Sequence, residues 1–552
     1  MNKSNFLNIS TLYSYNIPYV ALDLTGLSYV IFNAVALFLS TCFFILLIKL
    51  ITKLLERNSS KAVLPPGPVP WLFFGNLPEL FRNKPRFRWI TGILNEVNTD
   101  IACVRVRNTH IIPVKCPDIA REFLVKQDTK FAFRPTTMAT EYMSHDFLSV
   151  VLEPGGDHWK KMRRVVASEV LSQPKLRWLR GKRDEEADNL IHYIYNQCRS
   201  TMLNSDGGGA IVNLRHATRA YCGNVMRKII FNRRYFGEGR KDGAPTIEEE
   251  EHVEALFTGL SLVYAFCVSD YMPSLRWLDL DGHEKIMKTV TQIVNKYHDP
   301  IIYDRIQKWR GGDVKVSSKE PEDLLDVLIL LKDNKGKPLL STEEIRAQTA
   351  ELFHAAVDNP SNAVEWVIAE MINQPEIFRK AVEEIDIVVG KDRLVQESDF
   401  PKLNYVKACA REGFRLHPIA PFNLPHVSNV DTTVAGYFIP KGSHVLLSRT
   451  ELGRNPRVWD EPLEYKPERH LKLNSDGSFL DVELHEPELR FISFSTGRRG
   501  CLAVNLGSLM TTMLLARLLQ AFDWTAPPGF VDGVVILCKL TMIFNHYELK
   551  GE

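Results

Sequence analysis

The sequence predicts a mainly α-helical chain with small β-sheets, set behind a single N-terminal transmembrane helix. Ten stretches between residues 117 and 520 carry apolar residues at three- and four-residue intervals, the spacing that gathers them on one helix face. Only Ala102–Arg107 and His110–Val114 read clearly as strands, two short runs around Asn108-Thr109 that form a hairpin. From Leu27 to Ile48 there are 22 residues without a charge, enough at ~1.5 Å per residue to cross a hydrocarbon core of roughly 30 Å.

The elements follow in order. Lys49, Lys53, Arg57 and Lys61 come directly after the apolar run, whereas Lys3 and Asp23 are the only charges before it, so the positive-inside rule turns the chain after residue 48 to the cytosol. Residues 1–26 are then a luminal N-terminus and 27–48 the anchor. In that topology Asn2-Lys-Ser and Asn8-Ile-Ser are open to glycosylation and Asn58-Ser-Ser is not. Pro65-Pro66-Gly67-Pro68 makes residues 49–70 a basic, proline-stiffened hinge, and 71–552 form one cytosolic domain. Helices are expected near 117–126, 158–171, 178–202, 211–230, 246–268, 283–310, 342–372, 375–390, 403–417 and 501–520. Lys plus Arg number 68 against 66 Asp plus Glu, which leaves no basic field for nucleic acid. The nine cysteines lack a C-x-x-C pair, and their odd number argues against a disulfide framework.

One cysteine stands in a loop of special composition, Arg490-Phe-Ile-Ser-Phe-Ser-Thr-Gly-Arg-Arg-Gly-Cys501. Gly497 and Gly500 let the backbone fold tightly around the Cys501 sulfur, Phe494 covers it with an apolar ring, and Arg499 can meet an anionic group. A thiolate protected in this way is a fit axial ligand for a haem iron. The spacing Phe494-x-x-Gly497-x-Arg499-x-Cys501 is similar to the signature loop of the cytochrome P-450 superfamily. The resemblance implies that family's fold, a haem b held by Cys501, and electrons from NADPH through a separate NADPH cytochrome P-450 reductase. It also implies a single-pass position in the endoplasmic reticulum membrane, in contact with lipid. By the same resemblance Trp159, Arg163 and His426 join Arg499 around the haem propionates. Glu412-x-x-Arg415 and the Arg469 of Pro467-Glu-Arg-His470 then form a buried structural cluster.

The superfamily usually carries Ala/Gly-Gly-x-Asp/Glu-Thr-Thr on the helix above the haem, where an acid and an alcohol relay protons. Here the aligned residues are Ala355-Ala356-Val357-Asp358-Asn359-Pro360, so the acid Asp358 remains, Asn359 replaces the alcohol, and Pro360 is expected to kink and open the helix. The run Asp358-Asn-Pro-Ser-Asn-Ala-Val-Glu-Trp366 resembles the plant amino-acid N-monooxygenases that make aldoximes. Tyr297-His-Asp-Pro300, Phe422-Asn-Leu-Pro-His426, Lys466-Pro-Glu-Arg-His470 and Ser493–Cys501 resemble the same branch. The branch implies two N-hydroxylations of one L-amino acid, then dehydration and decarboxylation to an aldoxime that feeds nitrile, cyanogenic glucoside or related defence metabolism.

Such a substrate needs a cation for its carboxylate. Arg134 in Phe131-Ala-Phe-Arg-Pro135 is the candidate, with a structural or propionate-binding arginine as its other reading. The family's substrate-contact stretches map to Met138–Phe147, Phe257–Phe266, Phe353–Val357 and Ile419–Phe422. Phe353, Ala356 and Phe422 are the expected side-chain contacts. Their apolar and aromatic content ranks phenylalanine first, ahead of leucine, isoleucine and valine. Two alternatives stay open: a carbon hydroxylase of a small apolar metabolite, and a haem-binding membrane protein without turnover, which the unusual tail Val534–Glu552 allows.

Overall fold

The computed structural model describes residues 24–57, 63–202, 210–311, 320–475, 477 and 479–526. The glycosylation sequons at Asn2, Asn8 and Asn58, and the tail from Val534, lie outside the described residues. The chain divides into two compact units, Met1–Val63 and Leu64–Glu552.

In the first unit α1 spans Leu24–Arg57. Its stretch Phe32–Lys49 is long and apolar enough to cross a membrane. Phe32, Phe38, Phe43 and Phe44 stand exposed there, as lipid-facing side chains would. The 34-residue helix is about 51 Å long at ~1.5 Å per residue, so it continues past the span into the basic segment.

The second unit is helical with two small sheets. Residues 65–70, grouped with the hinge from sequence, lie in this unit, and the Pro66 carbonyl accepts from the Cys103 N–H at 2.9 Å. The helices that position the site are α2 (Arg86–Glu96), α3 (Asp157–Val165), α4 (Leu214–Phe231), α5 (Ile247–Leu262), α6 (His283–Arg310), α7 (Thr342–Asn373), α8 (Asn404–Leu416) and α9 (Val504–Ala521). The patterned stretch 246–268 stops at Leu262 because the chain turns there, with Phe266 in the left-handed region. The larger sheet runs β1 (Val104–Val106), β2 (Thr109–Val114), β6 (His444–Leu447) and β3 (His426–Val427) in spatial order. β1 and β2 are the expected antiparallel hairpin, and β2 lies parallel to β6. β4 (Thr432–Val434) and β5 (Tyr437–Ile439) form the second sheet.

α7 is the axis of the domain. Ser341 and Glu344 exchange bonds in a capping box at its start, and α4, α5, α6, α8 and α9 all pack against it. Pro360 does not open it: the helix runs unbroken from Thr342 to Asn373. The Asn359 amide donates to the Ala355 carbonyl at 2.8 Å and the Ser361 hydroxyl to the Val357 carbonyl at 3.0 Å. Side chains thus hold the carbonyls on either side of the one whose amide partner the proline removes.

Candidate active site

A cavity of about 610 Å³ lies between α7, the loop before α9 and the edge of the larger sheet. Cys501 is the only cysteine on its wall among the described residues. Its backbone N–H donates to the Phe494 carbonyl at 2.9 Å and that of Gly500 to the Gly497 carbonyl at 3.0 Å, which closes the loop around the sulfur. Gly497 has φ +76°, and a Cβ there would overlap the Leu124 carbonyl, so glycine is required. The Phe494 ring packs edge-on to Phe414 at 5.8 Å. The exposed face of Cys501 opens into this cavity, and burial raises its thiol pKa. The Ala503 N–H and the charges of Arg449 and Arg163 pull the other way. Cys267 offers no competing site on this wall: it is fully buried with its sulfur 2.8 Å from His283 Nδ1.

The same cavity gathers buried guanidiniums that have no acid partner among the described residues. Arg499 donates to the carbonyls of Ala132, Val150, Glu153 and Pro154, and stacks 4.3 Å over the Trp159 ring. Arg134 donates to the Leu424 and Pro425 carbonyls at 2.8 and 2.7 Å, brought there by the bridge between Phe133 and Val427. His426 engages the Phe131 carbonyl through Nδ1 at 2.9 Å, and Arg163 lies 5.8 Å over the Trp159 ring. Burial pushes Arg134 down to about 10, Arg499 to about 9 and His426 well below its ordinary value. Neither Arg134 nor Arg499 has an acid partner among the described residues, and Arg134 Nε and Trp159 Nε1 are buried without any partner. Such a set is incomplete until anions arrive, and the two carboxylates of a haem supply them. The residues present therefore fit that group. Of the two sequence readings for Arg134, the geometry favours the cofactor's carboxylates, since Arg134 stands with Arg499 and His426.

Arg449 was not anticipated. It is a wall residue whose Nε has no partner, burial pushes it down to about 10, and its charge is felt at Cys501. Its backbone N–H donates to Pro421, inside a substrate-contact stretch, at 2.8 Å. No local sequence pattern marks it, because its surroundings come from segments far apart in the chain.

α7 supplies the rest of the wall through Ala355, Ala356, Asp358, Asn359 and Pro360. Burial raises Asp358 to about 6 against the opposing Arg219 charge, and the Asn362 amide donates to its carboxylate. Glu351, about two turns before Asp358, accepts from the Ser149 hydroxyl at 2.5 Å and the Val151 N–H at 2.8 Å, fixing the loop that leads to α3. All four expected substrate stretches reach the cavity, through residues such as Met143, Tyr264, Ala356 and Phe422. Phe353 does not. It is fully buried among Phe231, His252 and His298, with ring centroids 4.7–5.5 Å away, because it lies on the face of α7 that packs on α4, α5 and α6.

Behind the site, Glu412 and Arg415 on α8 form a two-bonded pair at 2.7 and 2.8 Å with no exposure. Arg469 donates to Glu412 at 2.9 Å, and His470, which the sequence reading left out, lies 2.7 Å from the same carboxylate. Burial acts to raise Glu412, but the Arg415 and His470 contacts prevail and hold it at about 2.

The family profile described as Cytochrome P450 matches residues 65–542. The chain is 55% identical to a tryptophan N-monooxygenase of Prunus mume over 94% of both chains. It is 58% identical to a phenylalanine N-monooxygenase of Arabidopsis thaliana, over 86% of this chain and 87% of that one. A zebra fish cytochrome P450 solved with progesterone shares the fold, with a TM-score of 0.63 and 23% identity over 80% of this chain and 93% of the other. With its cysteine loop, its unpaired cations and its axial helix on one cavity, the chain belongs to the cytochrome P450 family of haem-thiolate monooxygenases.

Proposed function

We propose that the chain converts a hydrophobic or aromatic L-amino acid to its aldoxime by two N-hydroxylations, dehydration and decarboxylation. The observation that carries this reading is the wall itself, where Asp358-Asn359-Pro360 faces the same cavity as Cys501. Likeness of 55% and 58% to N-monooxygenases acting on tryptophan and phenylalanine supports it.

Cys501 would hold the haem iron, with Arg134, Arg163, Arg499, His426 and Trp159 around the haem carboxylates. When bound, the haem supplies electron-driven activation of dioxygen, which the thiolate's electron density favours. The chain does the positioning. Its apolar wall excludes water, and Asp358, raised by burial to about 6, takes up and passes on a proton more readily than an ordinary carboxylate. Asn359 does not offer an alcohol's relay, since its amide is committed to Ala355. With Arg134 placed among the cofactor's partners, Arg449, a wall cation without an acid partner among the described residues, is the candidate for the substrate carboxylate. That contact would turn the amine, rather than a side-chain carbon, toward the oxidant.

As a family member the chain needs a redox partner and a small-molecule substrate. NADPH cytochrome P450 reductase is the proposed partner, the endoplasmic reticulum the proposed membrane, and the domain after α1 the proposed cytosolic part. Membranes carrying the protein, supplied with reductase, NADPH and a mixture of amino acids, should yield an oxime. A hydroxylated side chain without oxime would favour the carbon-hydroxylase reading, and NADPH-independent silence a haem-binding protein without turnover.

A further inference from the structure

Three donor side chains of different chemistry meet where the chain passes from α5 to α6. Cys267 follows Phe266 and precedes the short helix Val268–Tyr271, while Asp281 and His283 flank Gly282, whose φ is +70°, at the start of α6. The Cys267 sulfur lies 2.8 Å from His283 Nδ1 and the Asp281 carboxylate 3.6 Å from the same nitrogen, and all three donor atoms fall within 4.8 Å of one another. Two backbone bonds aim the carboxylate, which accepts from the Val268 N–H at 2.8 Å and the His283 N–H at 3.5 Å. Cys267 is fully buried, but the Asp281 and His283 side chains are 15% and 14% exposed, so the cluster has a face toward solvent.

A thiolate, an imidazole and a carboxylate are donors that a zinc ion takes in a tetrahedron, with bonds of about 2.3, 2.0 and 2.1 Å. At those lengths the nitrogen and oxygen stand about 3.4 Å apart and the sulfur about 3.5 Å from the nitrogen. The first separation is nearly met as it stands, and the second needs the sulfur to draw back by less than about 1 Å. Sulfur and imidazole favour zinc over magnesium or calcium, and three protein ligands leave the fourth position to water. Burial pushes the His283 imidazole down, which keeps it a neutral ligand. Burial also raises the Cys267 thiol, so binding forms a zinc–sulfur bond and releases the thiol proton to solvent, with no electron transferred. The charge of Arg86 opposes a cation here, and those of Asp270, Asp279 and Asp281 outnumber it.

We propose that Cys267, Asp281 and His283 form a zinc site that clasps the two ends of the 267–283 segment. That segment carries Asp270 and Tyr271, which with Phe266 line the cavity, so the ion restrains this part of the wall. The proposal is independent of which substrate the cavity takes. Its test uses the untagged, haem-loaded full chain, stripped with a chelator, equilibrated with micromolar zinc chloride and passed through a desalting column before metal analysis. Wild type should hold about one zinc per haem iron, and excess magnesium or calcium should not displace it. Cys267→Ser and His283→Gln should each weaken zinc binding at least tenfold at unchanged haem content, the second variant guarding against a folding defect in the first. Zinc should slow amide hydrogen exchange across 267–283 severalfold in wild type and leave it unchanged in both variants. Wild type that retains no zinc, or variants that retain as much as wild type, would overturn the site. Bound zinc without slower exchange in that segment would overturn the clasp.

Discussion

Two groups of buried charge behave in opposite ways. Around Glu412 every charge has its counterpart: Arg415, Arg469 and His470 converge on one carboxylate, and Arg415 spends its other donors on the carbonyls of Gly453, Pro462 and Glu464. Around the cavity, Arg134 and Arg499 are buried and Arg449 half-buried, and none has an acid partner among the described residues. Burial costs both groups solvation, and only the first recovers it within the protein. The difference teaches which cluster is scaffold and which is a socket. A closed set of charges holds the fold, whereas an open set of one sign identifies the charge of what must bind.

Breaking the closed set should have the largest effect on stability. Glu412→Gln leaves two buried guanidiniums without a carboxylate, at a cost of roughly 3–5 kcal/mol. Thermal unfolding should show a large drop or no folded protein at all. An unchanged midpoint would mean the cluster is not what holds α8 to the segment around Arg469. Opening the socket should instead change occupancy. Arg134→Leu removes one uncompensated cation, so haem per chain should fall severalfold while the unfolding midpoint of the loaded fraction moves much less than in Glu412→Gln. Equal losses of stability in the two variants would erase the distinction.

The wall opposite these cations sharpens it further. Asn359→Thr with Pro360→Thr restores the alcohol and the amide that the family usually has. Oxime formed per NADPH consumed should fall several-fold at unchanged haem, as the substrate loses its place and electrons leak to peroxide. Unchanged coupling would show that the pair has no mechanistic role.

The smallest effects are in pH. Glu412 is depressed from an ordinary 4.5 to about 2, so its contribution to stability is complete above 4.5 and is lost as pH falls toward 2. Asp358 is raised from 3.8 to about 6, so it costs stability as pH rises from 3.8 through 6 and carries its proton below that. Coupling of NADPH to oxime should rise as pH falls through about 6, and Asp358→Asn should remove that inflection. A profile identical in the two proteins would exclude Asp358 as a proton source.

Much of this was legible in the sequence because local spacing carries it. The cysteine loop is contiguous, and α7 announces itself by a capping box and more than eight turns of periodicity. α2 went unread since its apolar residues Phe87, Trp89, Ile90, Ile93 and Leu94 are interrupted by Arg88 and Gly92 over only about three turns, too short a run to show a clear period. The helix Leu324–Leu330 was missed because a seven-residue run that is apolar except for Asp326 is too short to show a period. Periodicity placed Phe353 and Ala356 on α7 correctly but cannot say which face looks into a cavity, and Phe353 looks away. His470 and Arg449 owe their roles to partners distant in the chain.

The central claim is that Cys501 closes the socket as the iron's thiolate. Its most direct test is the reduced carbon monoxide difference spectrum of wild type and Cys501→Ser at equal chain concentration. Wild type should show the thiolate-type band and the serine variant none, because an alcohol is too weak an acid to supply an anionic ligand. A thiolate-type band that persists in Cys501→Ser would place the ligand elsewhere and contradict the account.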